Sequence, residues 1–142
     1  AELGNIPIFG GVVRNAGSIL IDRKKGNQGK QIIDGSQRSM EAHRPVFIFL
    51  EGTRSAPGDE ARYRSGIARM YTALQVPVLP IALNSGYVWP RRGFLKKPGQ
   101  IIVEFLPVIP PGLPEDEFMQ RLVTQIETAC AKMDPTPLVE TT

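Results

Sequence analysis

The sequence predicts a layered α/β domain with a mostly parallel central sheet flanked by helices. Apolar runs rich in Val, Ile and Phe alternate along the chain with segments whose apolar residues recur at helical spacing. The longest run near a predicted strand, VFIFL, is nearly continuous, which is typical of a strand covered on both faces. A chain of 142 residues can form one such domain with a hydrophobic core.

The first half of the chain predicts two strands and two helices in alternation. Gly17–Asp22 is expected to form a short strand, because three aliphatic residues stand between a glycine and a charged turn. A moderately amphipathic helix is expected from about Lys30 to His43, followed by a strand over Pro45–Leu50. A second helix is expected to run to Leu74, with Ser65 as its cap.

The second half predicts two more apolar strands, a long loop and a final helix. Prolines place the run Val76–Leu83 at a sheet edge or make it irregular. A loop over 84–99 then leads to a strand within Gln100–Ile109. Pro114 suits the first position of the last helix, and residues 134–142 are expected to be a disordered tail. The predicted buried stripe of that helix is Phe118, Leu122, Ile126, Ala129 and Met133.

Charge and composition narrow the classes of function. The net charge of +3 is uneven: residues 1–100 hold 15 Lys/Arg against 7 Asp/Glu, and residues 101–142 hold 2 against 7. This fits a solvated surface, anionic lipid headgroups, a phosphorylated substrate or nucleic acid. Because the basic residues lack interleaved aromatics, no nucleic-acid partner is expected.

Other features exclude common kinds of site. With one Cys and one His, a structural zinc site is not expected, nor is any other metal or cofactor. No nucleotide-binding glycine loop and no Gly-x-Ser-x-Gly elbow occurs in the sequence. The sequence shows no signal peptide, and its apolar runs are far shorter than the roughly 18 residues that span a bilayer.

The candidate site is the tetrapeptide EGTR, Glu51–Arg54, at the end of the strongest predicted strand. Ligands of open α/β sheets bind beyond the carboxyl ends of strands. Arg54 can offer a planar fork of donors to a phosphate, and Gly52 allows close backbone approach. Glu51 could orient that arginine or hold a substrate hydroxyl, and Thr53 could donate to a phosphate oxygen. The alternative is a polar turn with a surface Glu–Arg pair.

Two further arginines stand at comparable positions. Arg23 follows the first predicted strand, and Arg64 precedes a glycine near a helix start, where an anion could bind. An ordinary charged strand end and an ordinary helix start are the alternatives. His43, the only imidazole, lies at the end of its predicted helix, where it is expected to interact with the helix dipole. Ile48 rather than an aspartate lies five positions on, so His43 does not open a His-x-x-x-x-Asp pair.

Four blocks of the sequence resemble the glycerophospholipid acyltransferase family. FLEGTRS is similar to the F-P-E-G-T-R-S block of that family, and IPIFGGVVRNAGSILIDR to the segment leading to its G-x-I-F-I-D-R block. Tyr63–Gly66 is similar to the F-K-x-G block, and VPVLPIAL to the V-P-V-x-P-V block. All four occur in the family's order, and the resemblance covers roughly residues 1–133.

The resemblance implies a fold like that of glycerol-3-phosphate acyltransferase and transfer of an acyl group to a lysophospholipid. The donor would be acyl-CoA or acyl-carrier protein, and the acceptor 1-acylglycerol-3-phosphate, at the cytoplasmic face of a membrane. Glu51, Gly52, Thr53 and Arg54 would bind the acceptor, with Arg54 on its phosphate. Arg23 and Arg64 would be supporting anion contacts.

The sequence departs from the family in two places. Leu50 stands where the family has a proline, which keeps the strand end apolar. The N-H-x-x-x-x-D block, whose His acts as general base, is not in the chain. We therefore expect an acyltransferase domain over 1–133 that lacks its N-terminal catalytic block, contains no catalytic residue and is inactive alone. The alternative is a catalytically dead homologue that binds anionic lipid.

Overall fold

The computed structural model describes residues 18, 19, 21, 26–50, 63, 66–89 and 96–133. They fall in two compact units, one within Ala1–Ile48 and the other within Phe49–Thr142. The elements in chain order are helix α1 (Gln28–Glu41), helix α2 (Gly66–Leu74), strand β1 (Ile81–Leu83), helix α3 (Ser85–Val88), strand β2 (Val103–Phe105) and helix α4 (Glu115–Lys132).

Helix α1 in the first unit confirms the helix predicted from about Lys30 to His43. After its last residue, the His43 N–H donates to the Met40 carbonyl at 2.8 Å and the Arg44 N–H to the Ser39 carbonyl at 2.9 Å. This pair of bonds is the Schellman arrangement, which closes a helix with a residue in the left-handed region. Here that residue is His43, with φ of 53°. His43 therefore occupies the position after the helix at which glycine is usually found.

Glycine is required inside α1 for a packing reason. A Cβ on Gly35 would lie 2.5 Å from the Cγ2 of Ile19, too close without a shift of one of the two. Gly35 is buried together with Ser36 and Ser39, and the Ser39 hydroxyl donates to the Gly35 carbonyl at 3.1 Å. Small residues on this face thus let Ile19 pack against the helix backbone.

The prediction of a doubly covered strand at Pro45–Leu50 is wrong. These residues form no strand, and the Phe47 and Phe49 side chains are 77% and 81% exposed. Apolar composition leads to a strand only where a neighbouring strand pairs with its backbone, and none of the described residues does so here. Ser18, Ile19 and Ile21, from the first predicted strand, are also outside any strand, and the rest of that segment is not described.

The sheet of the second unit is an antiparallel pair. β1 and β2 pair with Ile81 opposite Phe105 and Leu83 opposite Val103. A further bridge joins Val78 and Ile109 through N–H to carbonyl bonds of 2.9 and 2.8 Å. The described residues thus contain a two-stranded antiparallel sheet and not the mostly parallel central sheet predicted from the sequence.

The two prolines of Val76–Leu83 have the predicted effect of making this run irregular. The run gives one isolated bridge and a three-residue strand, with Pro80 between them. Proline has no N–H to donate, but the Pro80 carbonyl still accepts a bond from the Leu106 N–H at 3.0 Å. Pro80 therefore pairs with the opposite segment through its carbonyl only.

Helix α4 supplies four of the ten buried residues of the core cluster, as its sequence pattern predicts. The whole predicted stripe is buried, with Phe118 at 0% and Leu122 at 1% exposure. Pro114 lies one residue before the first helical residue, not at the predicted first position. The acidic residues Glu115–Glu117 occupy the first turn, where they complement the helix dipole.

Candidate functional site

The six predicted site residues lie outside the described part of the chain: Arg23, Glu51, Gly52, Thr53, Arg54 and Arg64. Their placement as substrate-binding residues stays a prediction. The structure does describe residues that flank them within the second unit. Leu50, directly before Glu51, is half-buried and packs against the hydrophobic core. The described chain therefore ends, directly before the tetrapeptide, on an apolar side chain that contacts the core.

A second attachment lies directly before Arg64. The Tyr63 hydroxyl donates a hydrogen bond to the Oε1 of Glu127, which is on helix α4. A bond from a neutral hydroxyl to a carboxylate is stronger than one between two neutral groups. Two residues after Arg64, Gly66 begins helix α2. The position of Arg64 in the chain is thus bounded by a side-chain bond on one side and a helix on the other.

Helix α2 itself is fixed by a buried tyrosine. The Tyr71 ring stacks on Phe118 with centroids 3.8 Å apart and an interplanar angle of 5°. Its hydroxyl donates to the Pro110 carbonyl at 2.6 Å and accepts the Leu113 N–H at 2.9 Å. Thr72 adds a hydroxyl bond of 3.2 Å to Glu115 on α4. Nothing in the sequence around Tyr71 gives a sign of this double bond.

Asn84 is a buried polar residue that the sequence reasoning missed. It is 5% exposed and follows β1 directly. Its side-chain oxygen accepts the Ile102 N–H at 2.8 Å, and its amide donates to the Gln100 carbonyl at 3.3 Å. The Asn84 backbone N–H also donates to the Ile102 carbonyl at 3.3 Å. A polar residue at the end of an apolar run was the available signal.

The segment after Asn84 begins with a helix that was predicted to be loop. α3 has only four residues, and its first two, Ser85 and Gly86, continue the sequence Asn-Ser-Gly, whose composition is typical of a turn. Beyond it, Trp89 is 52% exposed and the Lys96 ammonium nitrogen lies 4.1 Å from the centre of its ring. The Lys97 N–H donates to the Val88 carbonyl at 2.9 Å, which brings the two ends of this segment together.

Two other properties of the described residues bear on the kind of site. Among the helices within 26–50, 66–89 and 96–133, none has the length and apolarity needed to cross a membrane. Within the same ranges, no three His, Cys, Asp or Glu side chains cluster in a way that could hold a metal ion.

Comparison with known proteins places the chain in a family. The sequence model of the family described as Acyltransferase matches residues 1–84, which is more than half of the chain and includes all six predicted site residues. The chain therefore belongs to the acyltransferase family, and the resemblance inferred from its four sequence blocks is confirmed.

Several relatives have one printed name in common. A 1-acyl-sn-glycerol-3-phosphate acyltransferase of Pseudomonas aeruginosa is 34% identical over 94% of this chain and 54% of its own length. A protein of that name from Helicobacter pylori is 30% identical over 58% of this chain and 35% of its own. The human protein named 1-acyl-sn-glycerol-3-phosphate acyltransferase alpha is 32% identical over 72% of this chain and 37% of its own length.

The chain spans about half or less of the length of these relatives. No solved structure matches the chain at the stringency applied to these relatives.

Proposed function

We propose that this chain carries the acceptor-binding part of an enzyme that acylates 1-acylglycerol-3-phosphate to phosphatidic acid. In that reaction the acceptor hydroxyl oxygen bonds to the acyl carbonyl carbon, the thioester C–S bond breaks, and the thiol leaves with a proton. The observation that carries the proposal is the family match over 1–84, within which the FLEGTRS block lies. The donor is acyl-CoA or acyl-carrier protein, and the reaction takes place at the cytoplasmic face of a membrane.

In this proposal the EGTR tetrapeptide holds the acceptor. Arg54 makes paired hydrogen bonds to its phosphate, a geometry that suits guanidinium better than ammonium. Gly52 allows the backbone to approach the phosphate closely, and Thr53 donates to a phosphate oxygen. Glu51 orients the arginine or holds a substrate hydroxyl. Arg23 and Arg64 add positive charge. The packing of Leu50 on the core supports this assignment, because a phosphate site requires a fixed chain.

The general base is proposed to lie outside these 142 residues. His43 is the single histidine, and Ile48 lies five positions after it. The structure describes His43 as the left-handed residue that closes α1. We therefore expect the chain to bind lysophosphatidate without acyl transfer, and the polypeptide of the complete open reading frame to perform the reaction.

The test is Arg54→Ala in the polypeptide of the complete open reading frame. Loss of a charged, paired hydrogen bond should raise KM for lysophosphatidate about 10- to 100-fold, with kcat changed far less. Arg38→Ala is the matched control, because Arg38 is an exposed arginine on α1. An unchanged KM for Arg54→Ala would contradict the phosphate role.

Acyl transfer by the 142-residue chain would contradict the placement of the base. Binding of lysophosphatidate without reaction in the complete polypeptide as well would favour the lipid-binding homologue instead. Acyl-transfer assays on both polypeptides separate these two results, and binding assays on the isolated chain use lysophosphatidylcholine, whose zwitterionic headgroup has no net charge, as the comparison.

A further inference from the structure

An exposed group of aromatic and basic side chains adjoins helix α3. Trp89 is 52% exposed and Tyr87 is 38% exposed. Lys96 lies over the Trp89 ring at 4.1 Å, and the exposed Lys97 is tied to Val88 by its backbone. We call Tyr87, Trp89, Lys96 and Lys97 the aromatic–lysine patch. None of the four belongs to the hydrophobic core of the second unit.

Part-buried hydrogen bonds hold the two ends of the segment that bears the patch. Asn84 bonds through its side chain to the Gln100 carbonyl and the Ile102 N–H, so both ends of the segment that bears the patch are attached to the strand pair. The Trp89 N–H also donates to the Ser85 carbonyl at 2.8 Å. Tyr87, Trp89 and Lys97 thus already have backbone hydrogen bonds, which lowers the entropic cost of ordering these residues on association.

The charged residues that flank the patch in sequence have one sign. From Ala61 to Val103 the sequence contains seven Lys/Arg and no Asp or Glu. The first acidic residue beyond that stretch is Glu104 on β2. A basic stretch of this kind attracts polyanions, and it contains no carboxylate that would offset the attraction.

The combination of residue types points to one kind of polyanion. Trp and Tyr rings are enriched where a bilayer meets water, since one part of the ring is apolar and another forms hydrogen bonds. Lysine stems can lie along apolar surface while their ammonium groups reach lipid phosphates. Soluble anions attract lysines equally but leave an exposed indole without an apolar environment.

We propose that the aromatic–lysine patch is a contact surface for an anionic lipid bilayer. The inference deepens the proposed function and rests on it, because an acceptor that resides in a bilayer must be reached from its surface. It assigns that contact to Tyr87, Trp89, Lys96 and Lys97, which lie in the described chain and apart from the EGTR tetrapeptide in sequence.

The chain contains its own probe for this contact. Trp89 is the single tryptophan, so tryptophan emission of the 142-residue chain, excited at a wavelength where its three tyrosines do not absorb, reports on the patch alone. We expect a blue shift with vesicles of phosphatidylcholine containing about one third phosphatidylglycerol, and none with phosphatidylcholine alone. The shift should reverse at about 0.5 M salt, because the Debye length is then only a few ångströms and the attraction between lysines and lipid phosphates is screened. No shift with anionic vesicles at low salt would overturn the proposal.

Matched variants test whether the contact is local. Lys96→Glu and Lys97→Glu should each lower vesicle partitioning at least about five-fold. The control Lys30→Glu makes the same charge change at an exposed lysine of α1, and should have a smaller effect. An equal effect of Lys30→Glu would mean that net charge alone drives binding, and would overturn the assignment.

A second pair compares apolar surfaces by co-sedimentation with the same vesicles. Trp89→Ser should reduce binding more than Phe105→Ser, although Phe105 is 67% exposed on β2. The reverse order would place the contact on the strand pair. A similar emission shift with coenzyme A and no vesicles would assign the patch to a soluble phosphate and also overturn the proposal.

These measurements contain no acyl-transfer step. Vesicle binding that persists in a complete polypeptide without acyltransferase activity would contradict the proposed function and leave the patch assignment intact. If acyl transfer proceeds but anionic vesicles do not shift the Trp89 emission, the patch assignment is contradicted and the proposed function is not.

Discussion

The Tyr71 hydroxyl offers a direct measure of how strongly α2 is attached to the rest of the second unit. Tyr71→Phe removes two hydrogen bonds, to the Pro110 carbonyl and from the Leu113 N–H. The ring and its stacking on Phe118 remain. The change therefore isolates the polar contribution of one side chain that is 3% exposed.

The expected loss follows from the two bonds. Each intramolecular hydrogen bond contributes a net stabilisation of about 1 kcal/mol, and partners left buried without a bond add to the loss. Pro110 is exposed and Leu113 is half-buried, so water can reach one or both freed groups. We expect the free energy of unfolding to fall by about 2 kcal/mol. In a unit of the size of Phe49–Thr142, this lowers Tm by about 10 °C.

The assay is thermal and urea unfolding of the wild type, Tyr71→Phe and the control Tyr87→Phe. Tyr87 is 38% exposed, so the same chemical change there should alter the free energy of unfolding by less than about 0.5 kcal/mol. Equal effects of the two variants would refute the reasoning, because the Tyr71 bonds would then contribute nothing beyond those of a surface tyrosine.

Three other substitutions test separate features. His43→Gly should raise the free energy of unfolding by about 0.5–1 kcal/mol in urea titrations, because glycine adopts the positive φ of the helix end without strain, and a loss of stability would contradict this. Asn84→Ala should lower it by about 2 kcal/mol, since two backbone groups lose their partner; a loss no larger than that of the exposed Gln120→Ala variant on α4 would count against the role given to its side chain. Tyr63→Phe should raise KM for lysophosphatidate about three-fold in the complete polypeptide with kcat unchanged, because its bond to Glu127 is lost; a fall in kcat alone would argue against a positioning role.

The parts of the fold that the sequence predicted depend on local periodicity. The stripe of α4 recurs every three or four residues, so one helix face is apolar wherever the rest of the chain lies, and Phe118 and Leu122 are both buried. The strand Val103–Phe105 also lies inside a predicted strand. Its three residues are nevertheless exposed, because strand formation and burial are separate properties.

The failures concern features that depend on distant neighbours. An apolar run such as Pro45–Leu50 is consistent with burial, but only another element can cover it, and Phe49 remains largely in solvent. Asn84 has its role because Gln100 and Ile102 lie beside it, a pairing that no local pattern encodes. For the site, the order of the four blocks predicted the family, whereas the geometry of the EGTR tetrapeptide lies outside the described residues.

The attachment of α2 has a consequence for the order in which the second unit folds. The Tyr71 hydroxyl bonds to residues 39 and 42 positions away in sequence, with the whole β1–β2 pair between them. Closing so long a segment is entropically costly until the intervening strands have paired. Helix α2 should therefore dock late, so that weakening this contact accelerates unfolding and leaves the folding rate nearly unchanged. The helix that begins two residues after Arg64 would then be among the first parts of the unit to detach and the last to return.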